Sequence, residues 1–145
     1  MYKHILIPTD GSELSENAIL KGVALAKSMN AKVTGITISA TFRAIAVEPM
    51  MMTDTPGQYT KDCEAFAAKY LAVIEKAAKT AGVQYEGTHV FHDQPYEAII
   101  GTAASKGCDL IVMASHGRSG IAAVVLGSVT NKVLTHTKIP VLVCH

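Results

Sequence analysis

Short apolar runs alternate along this chain with longer segments of helical period. Five runs are rich in β-branched residues and have the length of strands: 4–9, 31–39, 84–92, 108–114 and 139–144. Two of them contain the stretches LIVM and PVLVC, which are typical of parallel strands buried on both faces. The pattern therefore predicts a buried parallel sheet.

The first two helical segments have clear ends and inner faces. Ser12 is placed to cap the first helix, which turns Ile19, Val23 and Ala26 inward and ends near Asn30. The second helix repeats apolar side chains at i, i+3, i+4 and i+7 and stops at Gly82. Its predicted inner face consists of Cys63, Phe66, Ala67, Tyr70, Leu71, Ile74 and Ala78.

Two shorter helices complete the alternation. One runs from about residue 95 to 106, with Pro95 in its first turn and Gly107 as its stop. The last starts at Gly127 and Ser128 and ends before Pro140. Its predicted inner side chains are Val129, Val133 and Leu134.

Strands that alternate with helices predict right-handed crossovers and a doubly wound, five-stranded parallel α/β sheet. No linker or repeat divides the chain, so we expect residues 1–145 to form one domain. The segment 40–59, with Pro49, Pro56, Gly57 and a run of methionines, lacks any sustained period. A lid over a site, an oligomer contact and a surface excursion all fit such an insertion.

Composition narrows the class of protein. The 13 Lys and Arg residues nearly balance the 12 Asp and Glu residues, which argues against nucleic acid as the main partner. No apolar stretch is long enough for a membrane span, and the start of the chain lacks the pattern of a signal peptide. Three widely spaced cysteines suit buried thiols in a reducing compartment. We therefore expect a cytoplasmic protein.

Candidate ligand-binding residues follow the first and fourth predicted strands. Ligands of open α/β sheets bind beyond the carboxyl ends of strands, where the strand order reverses. Pro8, Thr9 and Asp10 follow the first strand, and residues from Ala114 to Gly117 follow the fourth. If the two strands are neighbours, these sets face each other across one crevice. Asp10 suits a ribose hydroxyl, and it equally suits a turn beside a glycine.

The glycine-rich stretch ASHGRSGIAAVVLGSV suggests phosphate binding, although it has neither the P-loop nor the GxGxxG pattern. The helix start at Gly127 and Ser128 would offer N–H groups to a phosphate, and Ser128 would equally serve as an ordinary N-cap. Arg118 suits phosphate oxygens or simple solvation. His116 suits a phosphate contact or a role in shaping the loop.

Catalytic and metal sites are not evident from the sequence. His89 and His92 are three residues apart on a predicted strand, so their side chains point to opposite faces and a shared metal is not expected. The HExxH, CxxC and GxSxG patterns are absent. The residues predict a binding site without catalytic machinery.

Four stretches together resemble the universal stress protein family over almost the whole chain: KHILIPTDGSELSENAI, DLIVMASHGRSG, LGSVTNKVL and IPVLV. The ATP-binding branch of that family carries G-x-x-G, nine residues, and then G followed by Ser or Thr. Gly117, Gly127 and Ser128 match this spacing. The first motif position departs from it, because Ala114 stands where the motif has glycine.

The resemblance implies a Rossmann-like sheet of the adenine nucleotide α-hydrolase-like type, with strand order 3-2-1-4-5, that binds ATP with Mg²⁺. It implies that Asp10 contacts the ribose and that Ile38 and Met113 lie near the adenine. The implied phosphate-binding residues are Ala114, Gly117, Gly127, Ser128, Val129 and Thr130.

The resemblance also implies a homodimer through the last strand. Val141, Leu142 and Val143 form an apolar strand at what would be an edge of the sheet, and an uncovered edge tends to pair with another chain. The alternative is that the short tail after this strand protects the edge.

Three functions stay open at this point. The first is a stress-response protein that uses ATP as a regulatory ligand. The second is a slow ATP hydrolase or phosphotransferase, since phosphoryl transfer depends mainly on positioning and electrostatics. The third is a nucleotide-free dimeric interaction module in which Ala114 has closed the pocket.

Overall fold

Five parallel strands form one sheet in this protein: β1 (His4–Pro8), β2 (Lys32–Ser39), β3 (Tyr85–Phe91), β4 (Leu110–Ala114) and β5 (Val141–Cys144). Their order is β3-β2-β1-β4-β5, as the family resemblance implies. The helices are α1 (Glu13–Met29), α2 (Phe42–Ile45), α3 (Pro56–Ala81), α4 (Pro95–Lys106) and α5 (Ser128–His136). This computed structural model describes residues 1–45, 55–117 and 126–145.

Side chains alternate between two cores on opposite faces of the sheet. Ile5, Ile7 and Val33 point into the core that α1 and α3 cover. Leu6 and Ile36 point into the core that α4 and α5 cover. Helices on both faces make the sheet doubly wound, and the central strands are buried for that reason.

The helix ends lie close to the positions predicted for them. The Ser12 hydroxyl accepts the Ser15 N–H at 3.2 Å and caps α1. Asn30, Gly82 and Gly107 all have the left-handed backbone conformation of a helix C-cap. The predicted strand limits are one or two residues longer than the observed ones.

The prediction that residues 40–59 lack regular structure is wrong at both ends of the segment. The helix α2 occupies its beginning, and α3 starts at Pro56, where Thr55 accepts the Gln58 N–H as N-cap. Pro56 suggested a loop, yet a proline also fits the first turn of a capped helix. The Phe42 and Tyr59 rings, 5.7 Å apart, pack the two helices together. Residues 46–54, including the methionine run, lie outside the described residues.

Two apolar side chains predicted to face inward are exposed instead. Phe66 is 57% exposed on α3, and Leu134 is 39% exposed on α5. A helical repeat predicts a wide apolar stripe, and residues at its margin lie beyond the contact with the sheet. Ala67, Ile74 and Val133 occupy the buried centre of these stripes.

Two of the three cysteines are buried, as composition suggests, whereas Cys63 is only partly buried. The three cysteines are free thiols, of which Cys108 and Cys144 are buried. Burial raises the pKa of Cys108 to about 11, so this group stays a neutral thiol. No helix in the described ranges combines the length and apolar character needed to cross a bilayer.

A polar cleft of about 460 Å³ opens at the amino ends of the strands. The helices α1 and α3 end beside it, and its lining includes Lys3, Lys27 and Lys32. Cationic side chains complement the partial negative charge of helix C-termini. Lys27, in the last turn of α1, therefore has a stabilising role at this end of the sheet.

A buried histidine lies at the same end of the sheet. His4 Nε2 is 2.6 Å from the Thr34 hydroxyl, which in turn donates to Glu86 Oε1 at 3.2 Å. Because a hydroxyl carries one hydrogen, Thr34 accepts from His4, and Nε2 carries the proton. Lys106 lies 3.3 Å from the same Glu86 oxygen. Burial, aided by Lys32, lowers the pKa of His4, and Glu86 and Asp109 oppose that shift.

We expect the stability of the protein to fall as the pH drops below about 6.5. The pKa of His4 is lower in the folded chain than in the unfolded chain, so the unfolded chain takes up protons first. The stability that neutral His4 contributes is complete above the pKa of His4 in the unfolded chain. It is lost as the pH falls toward the pKa of His4 in the folded chain. Urea unfolding at pH 7.5 and 5.5 measures it, and His4→Gln should reduce the difference. An equal difference in wild type and variant would contradict this prediction.

Gly22 marks the closest approach of α1 to the sheet. A Cβ at this position would lie 2.7 Å from Ile7 Cδ1 and 3.2 Å from Val112 Cγ1, both fully buried side chains. We expect Gly22→Leu to cost about 1–3 kcal/mol of stability or more through overpacking. Gly101 in α4 has open space around it, so Gly101→Leu is the matched control and should be neutral or stabilising. Denaturant unfolding compares the two variants.

Candidate functional site

The strands β1 and β4 separate before either of them ends. Their pairing covers Ile5 with Leu110 and Leu6 with Ile111. By contrast, β1 pairs with β2 as far as Pro8, and β4 pairs with β5 as far as Ala114. A gap therefore opens between β1 and β4 at their carboxyl ends. The strand order reverses at this boundary, where open α/β sheets bind their ligands.

Pro8 explains why the pairing stops. The His4 carbonyl accepts the Asp109 N–H, so the backbone groups of His4 point toward β4. Backbone direction alternates along a strand, and Pro8 therefore also faces β4. A proline has no N–H to donate, so the ladder cannot continue at this position. Thr9, one residue later, faces β2 and donates to the Ile36 carbonyl.

Asp10 sits in a tight turn between β1 and α1. One carboxylate oxygen, Oδ1, accepts the Ser12 N–H at 2.9 Å. Between them, Gly11 has a φ of +79°, a conformation that favours glycine, and its N–H lies 3.2 Å from the Thr9 hydroxyl oxygen. Thr9 is buried and also bonds to Ser15 and Thr37. Its side chain therefore braces the turn from inside.

The second carboxylate oxygen of Asp10 faces Gly117, in the glycine-rich segment 115–127 that follows β4 and is called the glycine loop below. A Cβ on Gly117 would lie 2.6 Å from Asp10 Oδ2, so any larger residue at position 117 would displace the carboxylate. The structure thus brings the residues after β1 and β4 together across the crevice. Gly117 supplies the space that this approach requires.

Gly127 joins the two ends of the glycine loop by a hydrogen bond. Its N–H donates to the Ser115 carbonyl at 2.8 Å. A Cβ at this position would lie 3.1 Å from that oxygen and 3.2 Å from His116 Cα, which is closer than most side chains allow. His116 Nδ1 is 3.0 Å from the Ser115 hydroxyl, a contact that shapes the loop. Arg118 belongs to residues 118–125, which lie outside the described residues.

Ala114 adopts an ordinary strand conformation. Asn30 is the one non-glycine residue with positive φ in the described part of the chain, so Ala114 needs no glycine-like backbone. Its methyl group packs in the core beneath α1. Its carbonyl accepts the Thr130 hydroxyl at 2.9 Å. The methyl group and Met113 lie on opposite faces of the sheet.

The first turn of α5 presents free N–H groups to the crevice. Gly127 is the N-cap, and no side chain caps this helix. The alternative that Ser128 is an N-cap is therefore wrong, because Ser128 is the first helical residue. Within the described ranges, the N–H groups of Ser128, Val129 and Thr130 have no hydrogen-bond acceptor. Thr130 is buried and its hydroxyl donates to the Ala114 carbonyl, so its side chain is not the group that would meet a ligand.

An apolar surface adjoins these polar groups. Ile38 packs against the core under α4 and α5, and Met113 is part of that core. Pro8 lies between them on the central strand and on the same face. Val129, from the first turn of α5, packs against this core as well. The crevice therefore combines an apolar side, a carboxylate and a helix N-terminus.

One contact at this site has no signature in the sequence. The Tyr70 ring, on the inner face of α3, packs directly against Gly11. The helical period places Tyr70 toward the sheet, but it gives no indication of which residue of the sheet or its turns the ring meets. The positive φ of Gly11 was equally invisible, although a glycine after an aspartate favours a turn.

Comparisons with known proteins match the full length of the chain. The family model of the universal stress protein family matches residues 1–145. The universal stress protein MJ0531 of Methanocaldococcus jannaschii is 32% identical over 146 residues, which cover 99% of this chain and 82% of the relative.

Two solved structures have the same fold. The structure of MJ0577, also of Methanocaldococcus jannaschii, has a TM-score of 0.80 at 28% identity and covers 99% of this chain and 96% of that one. A universal stress protein in complex with cAMP has a TM-score of 0.68 at 27% identity, with 99% and 97% covered. Because the sheet order, the sequence relatives and the family model all agree along its whole length, this chain belongs to the universal stress protein family.

Proposed function

We propose that this protein binds ATP with Mg²⁺ as a regulatory ligand in the crevice between β1 and β4, and that it does so as a cytoplasmic stress-response protein. The observation that carries the proposal is the set of three N–H groups at the start of α5 that have no acceptor among the described residues, beside a crevice that contains Asp10. An uncapped helix N-terminus is a favourable place for a phosphate.

The three parts of the crevice fit the three parts of the nucleotide. The phosphates would lie at Ser128, Val129 and Thr130, where main-chain N–H groups and the helix dipole favour an anion. Asp10 Oδ2 would accept a hydrogen bond from a ribose hydroxyl, since Oδ1 is already held by Ser12. The adenine would rest on Ile38 and Met113. Mg²⁺ would enter with the triphosphate as its counter-ion.

Binding rather than catalysis is the role that the described side chains favour. Ser115 and His116 form a hydrogen-bonded pair, but the serine side chain is buried and so is a poor nucleophile. The pair instead fixes the beginning of the glycine loop. The universal stress protein that was solved in complex with cAMP supports an adenine nucleotide as the class of ligand.

We further propose that the active form is a homodimer joined through β5. The Pro140 and Cys144 carbonyls accept bonds from β4, so the backbone groups of Val141 and Val143 point outward by alternation. Leu142 is 43% exposed beside this edge. Unpaired outward groups with an apolar flank favour pairing with a second copy of the strand.

Leu134 extends the apolar flank to the other face of the edge. On α5, Lys132 lies over the Tyr96 ring of α4 at 5.6 Å, and His136 also contacts this ring. Leu134 is about 200° around the helix from Lys132 and therefore faces away from α4, toward the β5 side. Its exposure, which contradicts its predicted burial, fits a side chain reserved for an interface.

Isothermal titration of the nucleotide-stripped protein with ATP and Mg²⁺, and with AMP in parallel, tests the nucleotide proposal. We expect saturation near one ATP per chain and weaker binding of AMP. Ser128→Asp should weaken ATP binding by about tenfold or more, because a carboxylate in the first turn repels the phosphates. The same charge favours the helix dipole, so the melting temperature should not fall.

Ser105→Asp supplies the matched control for that change. Ser105 is exposed near the end of α4, at the opposite end of the sheet, and its replacement should leave ATP binding unchanged. If the wild-type protein gives no saturable binding of ATP, the nucleotide proposal fails. An equal loss in both serine variants would argue against phosphate binding at α5.

Light scattering coupled to size-exclusion chromatography tests the dimer. We expect a dimer for the wild-type chain and a monomer for Leu142→Asp, because a charge at the β5 edge would be buried against its symmetry mate. Val73→Asp on α3 is the matched control, since Val73 is 38% exposed on the other side of the sheet. A monomeric wild type, or a dimer that survives Leu142→Asp, would contradict this interface.

A further inference from the structure

We propose that Tyr70 of α3 is a positioning residue for the Asp10 carboxylate and that it acts through Gly11. The carboxylate would be positioned for the ribose of the proposed nucleotide, so the inference rests on the proposed function. The contact between the ring and the turn belongs to the unliganded protein and can be tested without a nucleotide.

The Tyr70 ring lies against the one residue of the turn that has no side chain. A Cβ built on Gly11 would collide with Cε1 of the ring and would lie 2.6 Å from Cδ1 and 2.7 Å from Cζ. The ring thus occupies the volume that a side chain at position 11 would need. Phe66 stacks on the outer side of Tyr70, with ring centroids 6.2 Å apart and an angle of 23° between the planes.

The contact with the Tyr70 ring restrains the backbone conformation of Gly11, which the turn itself does not fix. Glycine populates positive and negative φ about equally, so the sequence of the turn does not hold Gly11 at +79°. The Gly11 N–H contact with Thr9 is long, at 3.2 Å. An aromatic ring packed on the Gly11 backbone restricts movement to the other conformations and shields the turn from water.

The conformation of Gly11 determines where Asp10 points. The Ser12 N–H reaches Asp10 Oδ1 across Gly11, and this bond leaves Oδ2 directed at Gly117. If Gly11 were to leave its positive φ, the Ser12 N–H would turn away and the carboxylate would lose this bond. Preorganisation of Oδ2 therefore depends on a side chain from α3, a helix that contributes no predicted ligand contact.

Tyr85, at the start of β3, provides a control whose side chain packs against the same helix. Its ring also covers glycines, since a Cβ on Gly87 would lie 2.7 Å from its hydroxyl oxygen. That hydroxyl donates to the Leu71 carbonyl at 3.2 Å. Burial, with a contribution from Glu75, raises the pKa of Tyr85 to about 12. Tyr85 thus matches Tyr70 in packing and lies away from Asp10.

A double-mutant cycle tests whether Tyr70 acts through Asp10. ATP dissociation constants are measured by NMR titration, so that weak binding is still quantified. We expect Tyr70→Leu to weaken binding about five- to tenfold in the wild-type background and less than about twofold in the Asp10→Ala background. Tyr70→Phe keeps the ring against Gly11, so it should weaken binding less than Tyr70→Leu does. Tyr85→Leu should lower the melting temperature and leave the affinity unchanged.

Amide hydrogen exchange on the unliganded protein provides the second readout. We expect Gly11 and Ser12 to exchange faster in Tyr70→Leu and to keep their wild-type rates in Tyr85→Leu. Unchanged exchange in Tyr70→Leu, or an equal loss of affinity in the presence and absence of Asp10, would overturn the inference. If wild type does not bind ATP, the proposed function fails, while the exchange rates still decide whether Tyr70 holds the turn.

Discussion

A missing hydrogen-bond donor at the centre of the sheet shapes this molecule. Pro8 faces β4 at the point where the β1–β4 ladder would otherwise continue, and the two central strands separate there. Each strand keeps its other neighbour to its end, so the sheet divides at its carboxyl edge without losing stability elsewhere. Asp10, the glycine loop and the start of α5 can meet because this division leaves room for them.

The glycine pattern is then best understood as a packing requirement. Gly117 makes space for the Asp10 carboxylate, and Gly127 lets the loop close on Ser115. Neither role demands a phosphate. Gly127 is also the N-cap residue of α5, and because it has no side chain it cannot cap the first turn. The surroundings of Ala114 show how this fold accommodates a methyl group at the first position of the glycine motif. Its side chain belongs to the core under α1, and its main chain belongs to the loop.

The sequence was sufficient for the architecture and for the place of the crevice. Period-2 and period-3.6 patterns reflect burial, and burial dictates the layers. The strand order, and with it the meeting of Asp10 with Gly117, came from the family resemblance. The failures have a common physical origin. Phe66, Leu134 and the start of α3 at Pro56 depend on which neighbours cover a margin or a turn, and such contacts between distant segments leave no periodic trace. The contact of Tyr70 with Gly11 is of the same kind.

The hydrogen bond between Gly127 and Ser115 separates the loop segment between them from the rest of the fold. Among the described residues, the Gly127 N–H bond to the Ser115 carbonyl and the Thr130 hydroxyl bond to the Ala114 carbonyl hold the start of α5 against the end of β4. Because the cost of closing a loop grows only slowly with its length, segments of other sizes and compositions can be grafted between these anchors with little effect on the scaffold. The segment between these anchors can therefore be exchanged while the sheet and its divided edge stay the same.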